Sequence, residues 1–117
     1  MELPKIAAID FDGTLVEDRF PDIGPMNKRM FCICKNMRQH GVKLILWSSR
    51  NGEQLQKAVN FCKAQGLEFD AVNENLPEVM QYYGGGDTRK VFADIYIDDK
   101  AIPHTQDPLY WMNRVGM

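Results

Sequence analysis

A chain of 117 residues with 44% hydrophobic and 26% charged side chains and a formal net charge of -2 has the make-up of one soluble globular domain, residues 1–117, with no room for a second. The composition carries no disorder signature and lacks the basic excess that steers nucleic acid, although a local basic patch for phosphates stays open. The apolar run between Lys5 and Asp10 is too short for a signal peptide and nothing approaches a membrane span, so a cytoplasmic protein is expected.

Lys5 to Ile9 is an unbroken apolar strand, the pattern of a parallel strand buried on both faces, and it runs directly into Asp10-Phe11-Asp12-Gly13-Thr14. Alternate side chains of an extended segment share a face, so Asp10 and Asp12 are held side by side while Phe11 points away. Two carboxylates so placed repel, and one keeps its proton unless a cation sits between them. On these residues alone, a turn whose Asp side chains cap backbone amides is an equally good reading. Gly13 suits the positive φ of a tight turn and leaves neighbouring amides open to an anion, and Thr14 adds a hydroxyl. Residues 15–24 are polar and without helical period, a flap beside the strand end.

Gly24-Pro25 predicts a helix start with proline in its first turn, and Met26, Met30, Ile33 and Met37 mark its core face before Gly41 ends it. Cys32 and Cys34 on that helix face apart, and with Cys62 they fit reduced thiols better than a disulfide scaffold or a metal site. Val42 to Trp47 is a second buried strand, stopping at Ser48-Ser49-Arg50. A second helix with Leu55, Ala58, Val59 and Cys62 on one face closes at Gly66, and Phe69 to Val72 make a third strand. Asn75-Leu76-Pro77-Glu78 reads as a capping box for a short helix, broken by the glycines 84–86. Ala93 to Ile97 is a fourth strand ending in Asp98-Asp99. The tail 101–117 holds Pro103, Pro108, Tyr110 and Trp111 and is expected to form a short packed helix near 108–114.

Strands alternating with helices through right-handed crossovers predict a three-layer α/β sandwich on a parallel sheet. For the polar strand ends to meet, the strands numbered in chain order must lie 3-2-1-4, which gathers Asp10, Asp12, Ser48, Asp98 and Asp99 in the crevice beyond their carboxyl ends.

The string Ile6 to Leu15 resembles motif I of the haloacid dehalogenase superfamily, hhhDxDGT. Ser48 after its strand resembles motif II, Lys90 motif III, and Ile95-Tyr96-Ile97-Asp98-Asp99 motif IV in its hhhDD form, so the resemblance covers nearly the whole chain in the right order. It implies a Rossmann-like fold and a Mg2+-dependent phosphomonoester hydrolase. Asp10 is then the nucleophile that becomes an aspartyl-phosphate, and Asp12 the general acid and base. Mg2+ is then held by a carboxylate oxygen of Asp10, the main-chain carbonyl of Asp12 and Asp98, with Asp99 binding it through water or positioning Lys90. Ser48, with Gly13, Thr14 and Ser49 nearby, contacts the phosphoryl group, and Lys90 offsets its charge.

The presence of Asp12 favours phosphatase or phosphomutase over dehalogenase chemistry within that superfamily, and neither the interval before Pro25 nor that between strands 3 and 4 can hold a cap domain, which a phosphomutase usually needs. A phosphorylated substrate of unknown size is the expected partner, a homo-oligomer stays open, and no membrane is expected. Ser48-Ser49-Arg50 and Gly86 to Lys90 are also similar to stretches of phage polynucleotide 3'-phosphatases, which would make Arg50 a bidentate phosphate clamp with Arg19 and Arg89 nearby. An arginine bridging a loop is the competing reading of Arg50. A non-catalytic phosphate-binding or regulatory module is the remaining alternative.

Overall fold

The computed structural model describes residues 3–101 together with 109, 112, 113 and 116. Of the tail 101–117 only residues 101, 109, 112, 113 and 116 are described; 109, 112 and 113 are helical, and the rest of the helix expected near 108–114 lies outside the described residues. In chain order the elements are β1 (Ile6–Ile9), β2 (Val16–Arg19), β3 (Asp22–Met26), α1 (Lys28–Gln39), β4 (Lys43–Leu46), α2 (Gly52–Ala64), β5 (Ala71–Val72), α3 (Pro77–Tyr82) and β6 (Ile95–Ile97). Among the described residues no helix is long and apolar enough to cross a membrane.

Four strands form one sheet in the order β5-β4-β1-β6, and every pairing in it is parallel. β1 sits between β4 and β6, with Ile9 opposite Leu46 on one side and Ile97 on the other. Its four residues are all buried, as the unbroken apolar pattern requires of a strand covered on both faces. The faces part cleanly along it. Ala7 and Ile9 pack with Phe31 and Cys34 of α1 and Ala58 and Cys62 of α2, whereas Ile6 and Ala8 pack with Val79 of α3, Val91 and Ala93. Burying each large side chain here contributes about 1.5–3 kcal/mol relative to exposure.

The chain departs from the sequence expectation between residues 16 and 26. Instead of a featureless flap followed by a helix from Pro25, β2 and β3 pair as an antiparallel hairpin, and α1 begins only at Lys28. The cause is Gly24. A Cβ there would fall 2.1 Å from the Glu17 carbonyl oxygen, so the two arms approach as closely as glycine alone allows. Asn27 then caps α1, its side chain accepting from the Met30 amide at 3.2 Å, and its own Nδ2 donates to the Thr14 carbonyl at 3.1 Å. The hairpin and α1 are thereby tied to the turn after β1.

Two smaller expectations also change. Phe31 and Cys34 form the buried line of α1 with Met30 and Met37 flanking it, while Ile33 is 39% exposed and stands outside the core. The capping box at Asn75 is absent. Leu76 is the cap residue of α3, and the buried Asn75 side chain instead bonds Asp87, Thr88 and the Phe92 amide, which fixes the loop leading into β6.

At the amino-terminal edge of the sheet, carboxylates serve the backbone. Asp94 accepts from the Ile6 amide and Asp70 from the Leu44 amide, each at 2.8 Å, and Arg38 from the last turn of α1 reaches Asp70 at 3.0 Å. Cys34 and Cys62 lie in the core, where burial pushes their thiols up to about 11 and about 12, whereas Cys32 is exposed. Thiolate is the reactive form. In the folded protein at pH 8 we therefore expect one thiol per chain to react quickly with a disulfide reagent and all three to react after denaturation, read as released chromophore.

Candidate functional site

Because β1, β4 and β6 run in the same direction, their carboxyl ends open on one side of the sheet, where a cleft of about 390 Å3 lies. Asp10 leaves the end of β1, and its amide donates to the Ile97 carbonyl at 2.9 Å, which extends the ladder to β6 by one step. The next residues fold tightly. The Phe11 carbonyl accepts from the amides of Thr14, Leu15 and Val16, and Asp12 and Val16 form an isolated bridge.

The turn brings three carboxylates together. One oxygen each of Asp10, Asp98 and Asp99 lies within 4.8 Å of the others. Thr14 links two of them, its buried hydroxyl donating to Asp10 Oδ2 at 3.2 Å and accepting from the Asp99 amide at 3.1 Å. Burial, the hydrogen bond with Asp99 and the charge of Asp98 push the Asp10 carboxyl up to about 7, with Thr14 working against them. Burial also pushes Asp99 up, but its contacts with Asp10 and with the Lys100 ammonium outweigh that and hold it below the usual carboxylate range. Gly13 adopts φ +91°, and a Cβ on it would meet Asp99 Oδ2 at 2.4 Å. A glycine is needed there for both reasons.

Asp12 faces another way. Its two oxygens accept from Arg50 Nε at 2.7 Å and Nη2 at 2.8 Å, so its carboxylate is paired outside the three-acid group. The Arg50 side chain is buried, and it also donates to the carbonyls of Pro21 and Asp22 in the hairpin and, at 3.4 Å, to that of Gln54. The Asp12 pair raises the Arg50 pKa still further and leaves it fixed in charge. Its N–H groups are taken up by the protein, so it does not stand free as the phosphate clamp that the sequence suggested.

Ser48 lines the cleft, with its Oγ accepting from the Arg50 amide at 3.0 Å, and Ser49 lies exposed at its wall. Two expectations for the turn change. The Gly13 amide donates to the Val16 carbonyl at 2.8 Å and the Thr14 hydroxyl is bonded on both sides, so these groups organise the carboxylates and are not open to an anion.

Lys90 is likewise not brought to the acids. It borders a separate cavity of about 520 Å3 beneath α3, with Nζ over the Tyr96 ring at 5.6 Å. Neither Arg19, exposed and paired with Glu17 at 3.2 Å, nor Arg89 is a lining residue of the cleft.

Lys100 and Asn73 were missed in the sequence, as were Asp18 and Phe20 of the hairpin, which also line the cleft. Lys100 lines the cleft with Nζ 3.3 Å from Asp99 Oδ2, and its place directly after Asp99 at a strand end was the available signal. Asn73, at the end of β5 with φ 53°, carries no sequence signal of its kind. Its Oδ1 accepts from the Ser48 amide at 2.7 Å and its Nδ2 donates to the Arg50 carbonyl at 3.3 Å, holding the Ser48 loop in place.

No family model matches the chain, and a comparison with curated proteins finds no match. Among solved structures, the chain is similar to that of a conserved protein coded by a locus of Bacteroides thetaiotaomicron, with 39% identity, a TM-score of 0.74 and coverage of 96% of this chain and 91% of that one.

The Gly13 contact yields a direct test. Gly13→Ala forces an unfavourable φ and a clash with Asp99, and we expect it to lower unfolding free energy by at least about 1 kcal/mol in a denaturant titration.

Proposed function

We propose that this chain, which belongs to the family of the conserved Bacteroides thetaiotaomicron protein, is a Mg2+-dependent phosphomonoester hydrolase working through an aspartyl-phosphate. The observation that carries this reading is the meeting of Asp10, Asp12, Ser48, Asp98 and Asp99 in one cleft at the carboxyl ends of adjacent parallel strands. We read the sheet as the 3-2-1-4 sheet of a capless haloacid dehalogenase fold, in which an Asp-x-Asp pair with a distant Ser and a terminal Asp-Asp does this chemistry.

The donor set fits a hard divalent cation. Three carboxylates converge, all ligands are oxygens, and a bound cation would offset the burial and crowding that push Asp10 up. Mg2+ held by Asp10, Asp98 and Asp99, with the main-chain carbonyl of Asp12 as a further ligand, would supply charge neutralisation for the phosphoryl oxygens.

The protein's own groups divide the remaining work. Thr14 holds the Asp10 oxygen to which it donates, leaving the other to attack phosphorus. Asp12 enters the step as the carboxylic acid, its proton on an oxygen lone pair that the Arg50 fork leaves open; as the phosphorus–oxygen bond to the leaving group breaks it gives that proton to the departing alkoxide, and as carboxylate it later takes one back from the water that cleaves the aspartyl-phosphate to regenerate Asp10 and release inorganic phosphate. Ser48 Oγ already accepts from the Arg50 amide, so its own proton is free to reach a phosphoryl oxygen. Lys100, and not Lys90, is the lysine positioned to offset charge at this cleft. The acidic lining and the engaged Arg50 offer a polyanion little purchase, which weighs against a polynucleotide substrate.

Purified protein assayed on a phosphomonoester panel should release phosphate only with Mg2+ or a similar divalent ion. Asp10→Asn should lower that rate by about 10³-fold or more in a protein with unchanged circular dichroism. Activity that survives exhaustive chelation, or a folded Asp10→Asn protein of near-normal rate, would overturn the reading. Asp12→Asn should cost about 10²–10⁴-fold on alkyl phosphates and much less on nitrophenyl phosphate, whose leaving group needs little protonation. Lys100→Ala should slow turnover more than Lys90→Ala does, and the reverse ranking in kcat would return Lys90 to the site.

A further inference from the structure

Arg50 combines features that a surface arginine lacks. It is 3% exposed, it meets both oxygens of Asp12 in a forked pair at 2.7 and 2.8 Å, and its guanidinium carbon lies 5.1 Å from the ring centres of both Phe11 and Phe20. Phe11 belongs to the core beneath the cleft, and Phe20, 57% exposed, belongs to the hairpin at its mouth. Two more donations, to the carbonyls of Pro21 at 3.2 Å and Asp22 at 2.8 Å, fasten the hairpin tip to the same guanidinium. One side chain therefore joins the β4–α2 loop, the acid after β1 and the hairpin.

From this geometry we infer that Arg50 is a positioning residue, which aims the Asp12 carboxylate at the leaving group and couples that aim to the seating of the β2–β3 hairpin. The inference rests on the proposed phosphomonoesterase reading, within which Asp12 is the proton donor.

Physical chemistry favours aim over stability as the role. A buried ion pair recovers little more than its desolvation cost, so stability alone gives weak reason for one. A planar fork, however, fixes the direction of a carboxylate as no single donor does. A carboxylate has about four acceptor positions, and the fork takes one on each oxygen, so each oxygen keeps a lone pair on which a proton can be carried. The hairpin carbonyls use the guanidinium's outer donors. Without the hairpin those donors would lose their partners and the stack its Phe20 face, leaving Arg50 held by the Asp12 fork, the Gln54 carbonyl and Phe11, and so less firmly aimed. Lysine cannot substitute, because a three-donor ammonium has neither the fork nor the flat faces.

The test compares Arg50→Lys and Arg50→Met with the wild-type chain in kinetics, inhibitor binding and amide exchange. Positioning predicts a fall in kcat of about 10–100-fold on alkyl phosphates, a few-fold at most on nitrophenyl phosphate, and orthovanadate inhibition changed by less than about twofold. It also predicts that Arg50→Met adds little further loss in an Asp12→Asn background. Orthovanadate binding weakened by about tenfold or more would make Arg50 a phosphate clamp, and equal losses on alkyl and aryl esters would make it a general structural residue. Either result overturns the proposal.

If the Arg50 variants fail to fold, Phe20→Ala removes one stacking face alone, and it should give a smaller loss with the same alkyl selectivity. An unselective loss would count against the proposal. Coupling to the hairpin is read without turnover. Asp12→Asn should speed hydrogen exchange of the amides around residues 18–23, and unchanged exchange would overturn the coupling even if the wild-type chain proved to hydrolyse no phosphoester.

Discussion

The pairing of β1 with a parallel neighbour on each edge is the constraint on which the remaining structure depends. Parallel strands cannot be joined by tight turns, so each crossover requires a helix or long loop, and the intervening chain covers both faces of the sheet. The same polarity aligns the carboxyl ends of β4, β1 and β6, and the residues that leave each strand are thrown into one volume. Had either neighbour been antiparallel, Ser48 or Asp98 would leave from the opposite edge. The carboxylate group is thus a product of strand direction as much as of residue type.

Two populations of aspartate result. At the amino-terminal edge Asp70 and Asp94 are consumed by backbone amides and by Arg38. At the carboxyl edge Asp10, Asp98 and Asp99 crowd one another, and Asp12 is paired through both oxygens with the Arg50 guanidinium. The two sets are chemically identical side chains, distinguished by which end of a strand they occupy. Burial and mutual repulsion then do to Asp10 what no neighbouring cation among the described residues undoes.

The four strands of the parallel sheet, the two long helices and the residues at those strand ends were legible in the sequence because period and burial act locally. Unbroken apolar runs located β1 and β4, and the carboxylates directly beyond β1 and β6 could be placed from them. What was not legible depends on contacts between distant segments. The hairpin hinges on Gly24 meeting the Glu17 backbone, which no helical or alternating pattern announces. Arg50 looked equally suited to a ligand or to a loop, and its partners lie 28 to 38 residues away. Lys90 matched a motif by order along the chain, but the loop fixed by Asn75 carries it toward Tyr96. Order in sequence does not specify which way a loop side chain turns.

Asn73 shows how narrow the choice at a single position becomes when backbone and side chain are both employed. Its left-handed φ of 53° excludes branched side chains and suits glycine or asparagine. Its amide spans the Ser48 loop as an acceptor at one end and a donor at the other. Glycine would relax the backbone and leave the Ser48 amide and the Arg50 carbonyl to find other partners. Aspartate, equal in size, would satisfy the first and set an oxygen against the second. A position just beyond the outermost strand is in this way restricted to one member of an isosteric pair, and the edge of the sheet holds the loop that carries Ser48 and Arg50.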